Sequence, residues 1–212
     1  MYLPQHFRES DEQEIRAVIE THPLACLVAQ TPEGLVANHI PLLPGRDGQL
    51  IGHVAQANEL HRLVPDGQEV LAVFRGPDAY ISPNDYPSKH ETHRQVPTWN
   101  YQAVHVHGTI SFQHDAHSKR AAVALLTRVH ERRRNGADAW RMSDAPEDFM
   151  VQMLRAIVAF RITVTRVLAK SKLSQNKDAR DIAGAIDGLR GAGVAEMAEV
   201  MARHARKDPS DC

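Results

Sequence analysis

The sequence predicts an α+β protein whose core is an antiparallel sheet or small barrel. Strand-like runs recur at the spacing of a β-meander and are joined by short segments rich in Pro and Gly. Helical patterns enter mainly in the second half of the chain and do not alternate with strands, so a parallel βαβ array is not expected. The sequence motifs of dinucleotide-binding folds, P-loop NTPases, α/β-hydrolases and zincin proteases are absent.

The composition of the chain narrows the kinds of protein it could be. The chain has 212 residues, 42% hydrophobic and 24% charged, which predicts one globular domain with a small appendage rather than a disordered chain. A formal charge of −1 gives no whole-molecule attraction to nucleic acid or membranes. Only Cys26 and Cys212 occur, so neither a disulfide framework nor a cysteine metal site is expected. With no apolar run of roughly 18 residues and no signal-peptide pattern, we expect a cytoplasmic protein that does not contact membranes.

The first half of the chain should form two helices, the second of them short, and most of a meander. Ser10 and Gln13 have the spacing of a capping box, and the helix should end at His22 before Pro23. A short helix is expected over 58–64. A long polar loop should cover 83–98, and loops of that length are often functional. Strands are predicted over 24–30, 35–43, 49–55, 69–74 and 78–82.

The second half should add two strands and four helices. In the run 102–112 hydrophobic residues alternate with polar ones, so one face of this strand should lie in the core. Ser143 or Asp144 is expected to cap the second of the helices. The remaining predicted elements are helices over 117–134, 146–157, 178–189 and 194–206 and a strand over 158–168. We therefore divide the chain into a main domain, 1–176, and a C-terminal helical extension, 177–212.

The strongest candidate site is a pair of strands with histidine and asparagine side chains. ANHIP carries Asn38 and His39, and GHVAQAN carries His53 and Asn58. Small residues such as Gly52 would let a flat heterocycle approach the strand, and a polar residue at the strand-to-helix junction could reach a phosphate. The alternative is that both histidines are structural residues hydrogen-bonded to backbone.

Two further segments carry groups that could bind a cofactor. VPTWNY places an indole, Trp99, beside an amide, Asn100, and either could pack in the core or form the wall of a ring-binding slot. KLSQN, with Lys172 and Gln175, offers several hydrogen-bond donors from one short turn, as a phosphate or ribityl chain would require.

Two other features support alternatives of a different class. His105 and His107 lie two residues apart on one strand face and could bind a metal or haem, although two ligands do not make a site. The helix spanning 119–134 has a net charge of +5 and could contact DNA phosphates, but arginines in a last helical turn also follow from the helix dipole.

A series of motifs in order along about 175 residues resembles the PaiB-like family of FMN-binding negative transcriptional regulators. These motifs are MYLPQHF, LVANHIPLL, GHVAQAN, FRGPDAYISP, YPSKHETHRQVPTWNYQAVHVHG, LLTRVHE, SDAPEDFM, LRAIVAF and KLSQN. The chain departs from the family pattern in two places: Asp85 stands where the family has an aromatic residue, and Ala169, Lys170 and Ser171 stand where it has a Gly-Lys-aromatic sequence.

The resemblance implies a six-stranded antiparallel split β-barrel with flanking helices and a C-terminal helical pair. It also implies a homodimer that holds FMN near the subunit interface. By the same resemblance, the residues that contact FMN are Asn38, His39, His53, Asn58, Trp99, Asn100, Lys172 and Gln175.

The sequence therefore supports a cytoplasmic, homodimeric FMN-binding protein that acts as a negative transcriptional regulator or as a flavin-dependent redox or sensor protein. An FMN-dependent oxidoreductase activity is compatible with it, although no catalytic acid, base or nucleophile can be assigned. The alternatives are a repressor that binds DNA through helix 119–134 without flavin chemistry, and a haem- or metal-binding split-barrel protein.

Overall fold

A computed structural model describes residues 1–206; Cys212 and the last part of the predicted extension 177–212 lie outside the described residues. Within the described part the chain forms seven helices and one eight-stranded sheet. The strands are β1 (Arg8–Glu9), β2 (Leu24–Thr31), β3 (Gly34–Pro41), β4 (Leu43–Pro44), β5 (Gln49–Ala55), β6 (Glu69–Ile81), β7 (Thr98–Gln113) and β8 (Ile157–Lys172). The helices are α1 (Glu12–Thr21), α2 (Leu60–Leu63), α3 (Pro87–Thr92), α4 (Ala116–Asn135), α5 (Glu147–Arg155), α6 (Ala179–Gly191) and α7 (Ala195–Ala205).

The sheet has the strand order β3-β2-β6-β7-β8-β5-β4, and β1 pairs with β8. The pairs whose register is known are antiparallel, with Leu27 opposite Asn38 between β2 and β3 and His53 opposite Ala159 between β5 and β8. The prediction of an α+β protein built on an antiparallel sheet is confirmed. The described sheet has eight strands rather than six because β1 and β4 are two-residue strands without a sequence pattern of their own.

The chain divides into two compact units, which we describe separately. The first unit comprises residues 1–18, 75–104 and the chain from Leu168 on, and the second comprises 19–74 and 105–167. Strands β6, β7 and β8 contribute residues to both units. The predicted boundary between 1–176 and 177–212 stays a prediction.

In the second unit the core lies on one face of the sheet. Directly opposite residues on paired strands share a face, and Leu27 and Ala72, which are opposite each other, are fully buried. Each large apolar side chain removed from water contributes about 1.5–3 kcal/mol. The largest buried side chains of this unit are Leu27, Leu42, Leu43, Phe74, Ile110, Phe160 and Ile162.

In the first unit α6 and α7 pack into a separate core around the fully buried Tyr86. A buried carboxylate joins α6 to α3, because Asp181 accepts hydrogen bonds from the Ser88 backbone N–H at 3.0 Å and from the Ser88 hydroxyl at 2.6 Å. The apolar members of this core are Ala79, Ile81, Tyr86, Leu173, Ala185, Ile186, Leu189, Met197, Ala198, Val200 and Met201.

Two predicted helix caps are wrong. Asp11, not Ser10, caps α1, because its carboxylate accepts the Gln13 N–H at 2.9 Å. Helix α5 follows Pro146 without a side-chain cap, and Asp144 instead accepts the Arg141 N–H at 2.8 Å in the preceding turn. Before each helix two residues that can act as caps are adjacent in the sequence, Ser10 and Asp11 before α1 and Ser143 and Asp144 before α5. The sequence alone does not distinguish between them.

The region around 69–98 also differs from its prediction. The expected strands 69–74 and 78–82 are one strand, β6, which continues through Gly76. A Cβ at Gly76 would lie 3.0 Å from Gln102 Cβ, so glycine here permits close strand approach rather than a turn. The expected loop 83–98 contains a 3₁₀ turn and α3, and both start at a proline, which favours a first helical position.

Among residues 1–206, no helix combines the length and the apolar character needed to cross a membrane.

The close approach of α6 to the turn at Asp85 predicts the effect of adding one methyl group. In Gly184→Ala the new Cβ would lie 2.2 Å from the Asp85 carbonyl oxygen, so the free energy of unfolding should fall by about 1–3 kcal/mol. Gly191→Ala, in the same helix with no atom within 4 Å, is the matched control and should be neutral or slightly stabilising. Urea denaturation followed by circular dichroism measures both; equal stabilities would contradict the packing.

Candidate functional site

The predicted site residues fall into two groups, one in each unit. The second unit holds Asn38, His39, His53 and Asn58, and the first unit holds Trp99, Asn100, Lys172 and Gln175. Each group is described by its own contacts.

In the second unit the structure brings Asn38 and Asn58 together. The Asn58 side-chain amide donates to Asn38 Oδ1 at 2.8 Å. The Asn58 oxygen accepts the Leu60 N–H at 2.9 Å, which caps the start of α2. This pair therefore ties β3 to the β5–α2 junction and leaves one amide hydrogen of Asn58 for another partner.

His39 does not join this pair. It is opposite Cys26 across β2 and β3, whereas Asn38 is opposite the fully buried Leu27. Because successive strand residues point to opposite faces, Asn38 points to the core face and the exposed His39 points to the outer face.

His53 is half-buried on β5, and its Nδ1 is buried without a hydrogen-bond partner among residues 1–206. Burial lowers the pKa of His53 below its ordinary value of 6.5, so the imidazole is neutral at neutral pH. An unpaired buried nitrogen costs free energy, and such groups mark strain, function or a missing partner. His53 therefore has a free ring nitrogen that could bind a ligand.

The expected access over Gly52 is wrong. A Cβ at Gly52 would lie 2.5 Å from Leu42 and 2.7 Å from Phe160, so the protein's own side chains already fill that space. Gly52 serves core packing, and a flat ring could approach β5 only on the face of His53.

In the first unit, Trp99 and Lys172 are brought together. The Lys172 ammonium donates to the Trp99 carbonyl oxygen at 2.8 Å and also bonds the Thr98 hydroxyl. Burial lowers the pKa of Lys172, while the nearby Tyr101 opposes this effect. The Trp99 indole is 54% exposed and meets Tyr80 edge-to-face at 6.2 Å. A partly buried cation therefore lies beside an exposed pair of aromatic rings.

Asn100 and Gln175 bond mainly to their own chain. Asn100 is fully buried and donates to the Ser174 hydroxyl at 2.9 Å, and its Oδ1 has no partner among residues 1–206. Gln175 accepts the Leu173 N–H at 2.7 Å and donates to the Ser171 carbonyl at 2.5 Å, which closes the KLSQN turn. These two amides fix the backbone on which Lys172 stands.

Sequence reasoning missed Lys170 as part of this region. Lys170 is only 7% exposed, and its ammonium lies 5.6, 5.8 and 5.3 Å from the ring centroids of Tyr2, Phe7 and Tyr101. Tyr2 and Phe7 are far in sequence from Tyr101 and Lys170, so no local pattern could show that these side chains meet.

The features behind the two alternative functions also have partners within the chain. His107 has Glu69 at 3.6 Å and the Arg166 guanidinium at 3.3 Å. Within residues 1–206 no three His, Cys, Asp or Glu side chains cluster as metal ligands. In the basic helix, Arg120 pairs with Glu147 at 2.5 Å and Arg133 donates to the Glu20 carbonyl at 2.6 Å.

The fold and these groups define an antiparallel-sheet protein with half-buried polar side chains suited to a cofactor. Residues 1–166 match a family described as "Putative FMN-binding domain". The chain is 30% identical over 207 residues to "Protease synthase and sporulation protein PAI 2" of Bacillus subtilis (strain 168), which covers 95% of this chain and 96% of that protein. The chain therefore belongs to the PaiB-like family of FMN-binding proteins.

Solved structures agree in fold. The FAD and heme binding protein from Mycobacterium smegmatis has a TM-score of 0.57 at 17% identity, covering 83% of this chain and 78% of that one. Flavocytochrome Anf3 from Azotobacter vinelandii has a TM-score of 0.58 at 12% identity, covering 86% and 78% of the two chains. At these identities the likeness shows the split-barrel fold alone.

The described residues fit a flavin mononucleotide in their chemistry. The unpartnered Nδ1 of the neutral His53 can form a hydrogen bond with a heterocycle, and the free amide hydrogen of Asn58 can donate to a ring or phosphate oxygen. Lys172 supplies a cation for a phosphate.

The lowered pKa of His53 predicts how stability depends on pH. Between the folded pKa and 6.5 the unfolded chain binds more protons than the folded chain, so the free energy of unfolding should fall as the pH drops below about 6.5. His53→Gln should remove this part of the slope, at most about 1.4 kcal/mol per pH unit. Urea denaturation of both proteins at pH 7.5 and 5.5 measures it.

His39→Gln is the matched control, because that histidine is exposed on the outer face of β3. The same pH dependence in wild type and His53→Gln would contradict the assignment.

Proposed function

We propose that this protein is a negative transcriptional regulator that uses bound FMN as a redox sensor. The observation that carries the proposal is the half-buried, neutral His53, whose buried Nδ1 has no partner among residues 1–206. The regulatory role is supported by the relative named for protease synthesis and sporulation, which aligns with nearly the whole chain.

In the second unit we assign the flavin ring to the His53 face of β5. His53 would hydrogen-bond the ring edge, and the remaining amide hydrogen of Asn58 would donate to a second acceptor. Asn38 would act through Asn58, because it accepts that side chain's other hydrogen. His39, on the outer face, would contact FMN only at an interface between subunits.

In the first unit we assign cofactor contacts to Lys172 and Trp99. The Lys172 cation suits a phosphate, and the exposed Trp99 indole suits a ring. Asn100 and Gln175 would hold the backbone around them through their bonds to Ser174, Ser171 and Leu173.

When bound, FMN supplies electron or hydride transfer, and the protein supplies the binding slot and limits solvent access. Because His53 is neutral, it does not act as an imidazolium acid. Its role in the proposal is to hold the flavin ring in one orientation through a hydrogen bond. No described side chain stands out as a catalytic acid, base or nucleophile, which favours a sensor over an oxidoreductase.

We also propose that the protein is a homodimer in the cytoplasm. On the outer face of the sheet, Cys26 is opposite Val73 and Val28 is opposite Leu71, and all four side chains are only half-buried. A contiguous apolar patch of this kind on the outer face of a sheet is typical of a protein interface. The free thiol of Cys26 in this patch agrees with a reducing compartment.

DNA contact through helix 119–134 remains the alternative regulatory mode. Two of its cations, Arg120 and Arg133, are already bonded within the chain. The proposal therefore places regulation in the flavin site and not in direct recognition of DNA by this helix.

Replacing His53 tests the flavin site. In His53→Leu the hydrogen bond to the ring is lost, so FMN affinity should fall by about two- to tenfold. Titration of the purified protein, followed by the flavin absorbance bands, measures the dissociation constant. His90→Leu, an exposed histidine in α3, is the control and should bind as wild type. The absence of FMN binding in wild type, or an unchanged affinity in His53→Leu, would refute the site.

A charge on the apolar patch tests the dimer. Val28→Glu would bury a carboxylate at the interface, so the mass in solution should fall from two chains to one. Light scattering after size exclusion measures the mass. Ala121→Glu, which adds the same charge at an exposed position of α4, should leave the mass unchanged. A wild-type monomer, or a Val28→Glu dimer, would contradict the proposal.

A further inference from the structure

A groove in the second unit lies along the last turns of α4. Its volume is about 470 Å³, within the range of roughly 300–1,000 Å³ that small-molecule sites occupy. One wall is the α4 face carrying Arg128 and Arg132, and the other is the segment that follows the helix, with Trp140, Arg141 and Met142. No residue proposed above for FMN lines it.

The groove is positively charged. Arg128 and Arg132 are one helical turn apart and project from the same face, and neither guanidinium group has a hydrogen-bond or ion-pair partner within the described chain. No Asp or Glu lines the groove. The carboxylate of Glu131, on the same helix, accepts the Asn135 amide and the Trp140 N–H.

An aromatic wall stands beside these guanidinium groups. The Trp140 side chain is 41% exposed, and its backbone is fixed because its N–H donates to Glu131 at 3.1 Å. The exposed indole can stack against a planar ring. The unpaired guanidinium groups can donate paired hydrogen bonds to an anion. Trp140 follows the end of α4 in the sequence, and only the tertiary structure places it beside Arg128 and Arg132.

We propose that this groove binds a small aromatic phosphate of the mononucleotide class. The ring stacks on Trp140, and the phosphate bonds Arg128 and Arg132, with Arg141 adding positive charge. This site is separate from the flavin site and does not depend on it. A ligand here would give the protein a second small-molecule input.

Calorimetric titration of the full-length, FMN-saturated protein with AMP tests the proposal. AMP should bind at least about tenfold more tightly than either adenosine, which lacks the phosphate, or inorganic phosphate, which lacks the ring. Arg128→Ala with Arg132→Ala, and separately Trp140→Leu, should each weaken AMP binding by about tenfold or more. Arg134→Ala, exposed in the same helix and outside the groove, should bind AMP as wild type.

Three outcomes would overturn the proposal. The first is that the wild type does not bind AMP at millimolar concentration, or that the arginine double variant, shown by circular dichroism to be folded, binds AMP as tightly as the wild type. The second is loss of AMP binding on FMN saturation, which would place AMP in the flavin site. The third is binding of a single-stranded oligonucleotide but not AMP, which would make the groove a nucleic-acid surface. If the protein does not bind FMN, AMP can be titrated into the unloaded protein, and the result still tests the groove.

Discussion

The alternation of side chains along β7 is the constraint on which the rest of the structure depends. In this strand of 16 residues every even-numbered position from Asn100 to Phe112 is buried, and the odd-numbered positions face outward. The pleat of a strand imposes this period of two, and one slipped residue would exchange the faces. The strand therefore assigns Val104, Val106 and Ile110 to the interior, and it assigns His105 and His107 to the outer face.

The same alternation buries two amides that would be costly if unpaired. Asn100 and Gln102 occupy interior positions of β7, and each donates to a hydroxyl, at Ser174 and Ser171 respectively. Buried polar groups need such partners, and the resulting network specifies one register of the neighbouring chain. These structural bonds hold the KLSQN segment, and they also position Lys172, the cation proposed to bind the phosphate of FMN.

The candidate site illustrates what a sequence pattern can locate. The motifs ANHIP and GHVAQAN predicted a polar site on two strands, and the direct bond between Asn38 and Asn58 confirms that the two segments meet. The pattern could not separate Asn38 from His39, since adjacent residues look equivalent until the register is known. Nor could it show that Leu42 and Phe160 occupy the space over Gly52, because that depends on contacts between distant strands.

The sequence by itself determined the α+β class, most of the strands and the family, because periodicity and ordered motifs are local properties of the chain. Only the tertiary structure decided which faces His39 and His53 occupy, that Lys170 lies among three aromatic rings, and that Trp140 lies beside Arg128 and Arg132. These relations join residues that are separated along the chain. They arise from strand pairing and helix packing, whose free energies depend on the whole fold and not on any one segment.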